Sequence, residues 1–352
     1  MALRFIDSCD HYATADINKK WTYPTAVIAN NGRNGTNCLR HTAQSTTSKV
    51  IDHQSTLIFG AAFFFRAAGN GVSASPLIIF QDLTGLSIVN QVYVTFNNDQ
   101  TFSIISGVDI HDNPIVLAQS SATAQLNTYQ YIEFKATISS SISAHTCQLS
   151  LNGTVIADAP AASNTKQSSN STANTVAIFT PYFGSMDWDD VYICDGTVGA
   201  AGASRPNNDF LGLIIVEAIY PVGVGAASDF TNSGGNHLNN YTYVNETPPD
   251  NDTTYVKSSN PGDFDLYAYG SIFNTSTIYG VSHILDVRKD QAGARVAAPM
   301  TRIASTNYQG NNIPLTSEYQ YNLQISEINP ATTAVWSKND VNNAQFGIKL
   351  VS

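Results

Sequence analysis

The chain has 352 residues, of which 43% are hydrophobic and only 12% charged, with a formal net charge of −10. That hydrophobic share excludes a disordered polymer, whose signature is low hydrophobicity with high net charge. The scarcity of Lys and Arg excludes a phosphate-binding surface, so neither nucleic acid nor anionic lipid is expected as a partner.

At about 150 residues per domain, the length predicts two domains, each able to bury its own core. The opening, Met1-Ala-Leu-Arg-Phe-Ile-Asp-Ser, shows no basic stretch leading into an apolar one. No signal peptide is read there, and folding in a cytoplasm is expected. The longest apolar runs, residues 58–65 and 76–80, are strand-length. They fall far short of the ~20 residues a membrane span needs, so no membrane insertion is expected.

In chain order, helical periodicity is confined to one or two turns within residues 10–21. Period-2 patterning dominates the rest. Val92, Val94 and Phe96 alternate with polar neighbours. Between residues 131 and 138, Ile132, Phe134, Ala136 and Ile138 face one way, and Tyr131, Glu133, Lys135 and Thr137 the other. Such alternation predicts a half-buried antiparallel strand. Cys147, Leu149 and Leu151 run into Asn152-Gly153 and then Val155 and Ile156. An Asn-Gly pair between alternations predicts a hairpin, because a type I′ turn needs positive φ at both central residues.

Residues 195–208 read as a surface loop, residues 213–220 as one more apolar strand, and residues 221–228 as a linker. These place the domain boundary at 223/224. Beyond it the alternation restarts at Val281, His283, Leu285 and Val287, then at Tyr319, Tyr321, Leu323 and Ile325, and last at Phe346, Ile348 and Leu350. The expected fold is all-β: two antiparallel β-sandwich, jelly-roll-like domains in tandem, residues 1–223 and 224–352.

Motifs for chemistry are few. Cys9, Cys38, Cys147 and Cys194 form no CxxC and flank no histidine cluster, so buried reduced thiols are expected. Gly223-Val-Gly225-Ala-Ala-Ser228 mimics a dinucleotide fingerprint, but no helical pattern follows to receive a pyrophosphate. His283 lies on an apolar strand face and reads as a satisfied core or interface histidine. The sharpest acidic cluster is Asp187-Trp188-Asp189-Asp190. On a regular strand Asp187 and Asp189 share one face and Asp190 takes the other. Structural hydrogen bonding to a neighbouring loop is its default reading. A Ca²⁺ site at Asp187, Asp189 and Asp190 is the alternative, since hard cations take carboxylate oxygens. No other cofactor is expected. Asp250 and Asp252 flank a turn before an expected strand at residues 253–257, with a cation as the minor alternative. The 17 tyrosines and abundant Asn suit either a sugar-binding face or a protein contact.

The opening Leu3-Arg-Phe-Ile-Asp-Ser-Cys-Asp-His-Tyr, the stretch from Gly184 to Ile193, and Asn207-Asn-Asp-Phe-Leu-Gly212 resemble concanavalin A-like (laminin-G-like) sandwich proteins of tailed-bacteriophage structural modules. In the second block, Pro249-Asp-Asn-Asp, Glu318-Tyr-Gln-Tyr, Asn329-Pro-Ala-Thr, Trp336 and Asn343-Ala-Gln-Phe extend the resemblance. It implies a non-enzymatic virion structural protein, assembled in the host cytoplasm, tail-associated or receptor-binding. Its implied partners are other virion proteins, copies of itself as a homo-oligomer, and host-surface glycan. Capsid decoration on the head is the alternative, and a glycan depolymerase a further one. Glucanases on this scaffold place Glu, Asp and Glu at i, i+2 and i+4 of one strand. Here the i+4 position is Val191 and the cluster holds no Glu, so no catalytic residue carries over.

Overall fold

A computed structural model describes residues 2–42, 44–67, 75–181, 184–273 and 277–352. It is almost entirely antiparallel β-structure and divides into two compact units. The first comprises Met1–Asp10, Thr14–Gly199 and Pro206–Val216, and the second His11–Ala13, Ala200–Arg205 and Glu217–Ser352.

The first unit carries β1 (Leu3–Asp7), β2 (Tyr23–Pro24), β3 (Val27–Ala29), β4 (Cys38–Thr42), β5 (Thr46–Gln54), β6 (Thr56–Ala67), β7 (Ser75–Thr84) and β8 (Ser87–Phe96). It continues with β9 (Phe102–Val108), β10 (Pro114–Gln119), β11 (Gln130–Thr137), β12 (Cys147–Leu151), β13 (Thr154–Asp158), β14 (Ala173–Phe179) and β15 (Gly184–Asp195). One sheet has the order β13-β12-β11-β6-β15-β4-β3, with β1 also on β15, and the other β10-β9-β8-β7-β14-β5-β2. The short helix α1 (Ile17–Lys20) lies within the stretch expected to be helical.

The inward residues of the two sheets meet as the alternation requires. Phe80 stacks on Phe134 with centroids 4.7 Å apart, Phe65 meets Phe96 at 5.3 Å and Phe63 meets Phe102 edge-on at 6.5 Å. Trp188 lies 6.1 Å from both Phe59 and Phe63. Each such ring, fully buried, contributes about 1.5–3 kcal/mol. The Asn152–Gly153 hairpin forms as expected, with φ of 51° and 80°. All four cysteines are buried and unbridged.

Strand β11 departs from expectation. Tyr131 and Glu133 are as buried as Ile132 and Phe134. The reason is the segment 211–216, which lies over their face. Residues 213–220, expected to be a strand, form none. Several backbone groups of 211–216 bond side chains instead of a ladder, and Ile214 N–H donates to Gly212 C=O (2.8 Å). Gly212 N–H donates to Glu133 (2.8 Å), Val216 N–H donates to Asp190 (2.7 Å), and Ile214 C=O accepts from Arg33 (2.9 Å). Leu213 and Ile215 stay exposed.

The second unit carries β16 (Pro221–Ser228), β17 (Thr231–Asn232), β18 (Val256–Lys257), β19 (Phe264–Tyr269), β20 (Val281–Val287), β21 (Val296–Ile303), β22 (Thr306–Gln309), β23 (Ile313–Pro314), β24 (Gln320–Ser326) and β25 (Gln345–Leu350). Its main sheet runs β16-β19-β25-β21-β22, with β23 on β21, while β20 and β24 pair separately. His283 of β20 packs edge-on against Phe346 of β25 at 5.6 Å, which places the pair against the main sheet. Helix α2 (Lys338–Asn343) begins with a capping box between Ser337 and Asp340.

Residues 221–228, expected to be a linker, are an edge strand of the second unit's main sheet. The glycines misled. At Gly225 a Cβ would sit 2.2 Å from the Leu266 carbonyl oxygen, so glycine is there for close backbone approach, not flexibility. The strand expected at 253–257 shrinks to β18, because Asp250 draws Thr254 N–H (2.9 Å) into a turn.

Candidate functional site

The acidic run sits on β15, where the strand pairs with β6 on one side and with β4 and then β1 on the other. Asp187 and Asp189 pair with Phe64 and Ala62 of β6, on the face away from Trp188 and the core. Asp190 was expected on the opposite face. Instead its φ is +51° and the register against β6 shifts between Asp189 and Tyr192. This bulge brings Asp190 to Arg33, the same residue whose N–H contacts Asp189.

Each carboxylate is taken up by donors. Asp187 accepts from Asn31 Nδ2 (2.8 Å), from Arg40 Nε (2.7 Å) and a second Arg40 nitrogen (3.0 Å), and from the Arg66 guanidinium. Asp189 accepts from Arg33 N–H (2.8 Å), from the Thr36 hydroxyl (3.3 Å) and from Asp190 N–H (2.7 Å). Asp190 accepts from the Arg33 guanidinium (3.1 Å) and from Val216 N–H. Gly32 lets the loop approach, since a Cβ there would lie 2.7 Å from Asp189 Oδ2. Burial pushes the carboxyls of Asp189 and Asp190 up, and their mutual proximity adds to the rise at Asp189. The Asp187 carboxylate holds the Arg40 guanidinium above its usual range.

These three carboxylates fasten two different segments, 31–37 and 211–216, to one strand. They do not converge on a common point. Among the described residues no group of three or more His, Cys, Asp or Glu is placed to hold a metal ion. The donors observed at Asp187, Asp189 and Asp190 are those of hydrogen bonding to neighbouring loops. In the second unit, Asp250 binds Thr254 and Asp252 accepts from Arg288 (2.8 Å) and the Tyr319 hydroxyl (2.9 Å), so that loop is likewise held by its own donors.

A different surface has the chemistry of a binding site. In the sheet of β7, β8 and β9, Phe80, Val92 and Ile104 point into the core, so the intervening residues form the outer face. The register places Ser48, Ala177, Ile79, Tyr93, Ile105 and Val116 in one row across six strands. Beside it run Thr175, Gln81 and Asn90, and on the other flank Pro76, Thr95 and Ser103. Ile79, Ile105 and Ala177 are each at most 3% exposed, so the accessible part of this face is carried by Tyr93, Gln81, Asn90 and Thr95. Gln81 Nε2 donates to Asn90 Oδ1 (2.9 Å) across the flank. Burial raises the Tyr93 phenol, which stays protonated and able to donate. These rows hold no charged side chain.

Sequence reasoning singled out none of these residues. The signal was present: Tyr93 is the complement of the apolar set Val92, Val94 and Phe96.

No family model matches the chain, and no curated protein matches it. Solved structures show a likeness. Cellulose induced protein Cip1 aligns at 12% identity over 54% of this chain and 90% of its own, with a TM-score of 0.35. Alginate lyase Aly36B aligns at 12% identity over 52% and 91%, with a TM-score of 0.37. The carbohydrate-binding module CBM66 from Bacillus subtilis aligns at 8% identity over 50% and 94%, with a TM-score of 0.33. At these identities and TM-scores the likenesses carry no argument about activity.

Proposed function

We propose that this protein is a non-enzymatic attachment protein, tail-associated on a virion, that binds neutral glycan on the outer face of the seven-stranded sheet of its first unit. The observation that supports the glycan reading is that face itself. It combines a half-buried Tyr93 with uncharged amide and hydroxyl groups at Gln81, Asn90 and Thr95. A sugar ring presents C–H groups to an aromatic or aliphatic floor and hydroxyls to amides at its edge. An uncharged lining selects against acidic polymers, which need cations. The virion setting rests on the sequence resemblance. The protein would act there as a homo-oligomer with other virion proteins.

Affinity electrophoresis through gels containing dextran, mannan or galactan tests the glycan reading. Slowed migration in at least one gel, relieved by Tyr93→Ala, is the expected result. Unretarded migration in all three gels, or retardation that Tyr93→Ala leaves intact, would reject it.

A further inference from the structure

The second unit contains a cavity of about 80 Å³ between the β20–β24 pair and the main sheet, with His283 in its wall. His283 is 8% exposed, and neither its Nδ1 nor its Nε2 has a hydrogen-bond partner. Of the expected core or interface histidine, the burial holds, but within this chain the ring is unpaired. Leaving a buried polar group unpaired costs about 1–3 kcal/mol, so the position calls for an explanation.

The surroundings supply one. Tyr308, Trp336 and Phe346 give the cavity aromatic walls, and Thr301, Gln324 and Ser326 add hydroxyl and amide groups. Trp336 is fixed by its indole N–H donating to Ser326 C=O (3.1 Å), and Phe346 holds the imidazole edge-on. Gly310 has no side chain to displace Gln324: a Cβ there would lie 2.3 Å from Gln324 Oε1. That oxygen accepts from Asn311 N–H (2.6 Å), which orients the amide. No Asp, Glu, Lys or Arg lines the cavity. Burial depresses the His283 imidazole to about 4, so at neutral pH it offers one donor and one acceptor.

We propose that this cavity is a second ligand site, built for one neutral ring that carries adjacent hydroxyls, such as a terminal sugar residue, with His283 as its polar centre. One imidazole nitrogen would accept from a hydroxyl and the other donate to its neighbour, while the aromatic walls pack the ring's C–H faces. The volume suits such an occupant. A water needs about 10–15 Å³ on this measure, so the cavity holds on the order of six waters, which a ring with several hydroxyls would displace. This site is separate from the face of the first unit and stands or falls without it.

The test uses the full chain and four probes: the methyl glycosides of glucose, galactose, mannose and rhamnose. The His283 side-chain NMR resonances and the indole fluorescence are followed as each is added. At least one probe is expected to shift the His283 signals saturably, with a millimolar dissociation constant typical of single sugar residues. His283→Phe should weaken that binding at least tenfold by fluorescence. If His283→Phe does not fold, Gln324→Ala, at a partly exposed position, carries the same expectation. Absence of a saturable shift with all four probes, or binding that survives the substitution, would overturn the proposal.

Discussion

Replacing Asp187 by Asn tests the fastening role of the acidic strand most sharply. The side chain keeps its shape but loses the charge that Arg40 and Arg66 share. The Asp187 side chain is 0% exposed, while those of Arg40 and Arg66 are 29% and 32% exposed. Breaking a fully buried ion pair costs about 3–5 kcal/mol, because an unpaired charge is left behind. Here both guanidiniums regain part of their hydration, which lowers the cost to about 2–3 kcal/mol. For a unit of roughly 200 residues, 1 kcal/mol moves Tm by about 2–4 °C, so the first unit should melt about 4–12 °C lower. Scanning calorimetry at pH 7, with and without added Ca²⁺, measures this. A structural carboxylate predicts the drop in both conditions and no effect of Ca²⁺ on the unsubstituted protein. A metal ligand predicts that Ca²⁺ raises Tm by mass action and that Asp187→Asn abolishes the rise. A rise of that kind, or a variant that melts within a degree of the parent, would refute the reasoning.

Further outcomes follow from other positions. Arg33→Met keeps the aliphatic stem but removes the bonds to Asp190 and Ile214 C=O. Amide exchange at Val216 should accelerate about tenfold, equivalent to about 1.4 kcal/mol of lost local stability, and unchanged protection would show that 211–216 is held by something else. Gly225→Ala forces a Cβ against the Leu266 carbonyl and should destabilise the second unit by about 1–3 kcal/mol in calorimetry. An unaltered melt would deny the close pairing of β16 with β19. His283 has a folded pKa of about 4, below its unfolded value of about 6.5, so its contribution is intact above pH 6.5 and falls as pH drops towards 4. Between pH 7 and pH 5 the parent should lose about 2 kcal/mol more than His283→Phe in urea unfolding, and equal losses would show that His283 titrates normally.

Much of the fold was legible because period-2 alternation reports which side chains leave water. Phe134, Val94 and Leu149 all point inward as their spacing implies, and the Asn152–Gly153 turn follows from local backbone sterics alone. The failures have a common physical origin. The apolar run 213–220 reads as a strand, but backbone pairing partners lie far away in sequence, and here Glu133, Asp190 and Arg33 supply the bonds instead. Gly223 and Gly225 look like a flexible linker because composition does not distinguish a glycine chosen for freedom from one chosen for closeness. The bulge at Asp190 reverses a face assignment that strict alternation would fix, and nothing in the residues 187–190 signals it. Sequence marked His283 as buried, correctly. Whether a buried imidazole finds a partner depends on three other strands and could not be read from its own.

The central claim is that these sheets hold ligands without altering them. Equilibrium binding and release of new reducing ends, followed in one incubation with the polysaccharide that retards the protein, test it most directly. The account predicts saturable binding that Tyr93→Ala or Gln81→Ala weakens at least tenfold, with reducing ends flat over time. Reducing ends that accumulate with enzyme-like turnover, and stop on substitution of Asp187 or Asp189, would contradict it.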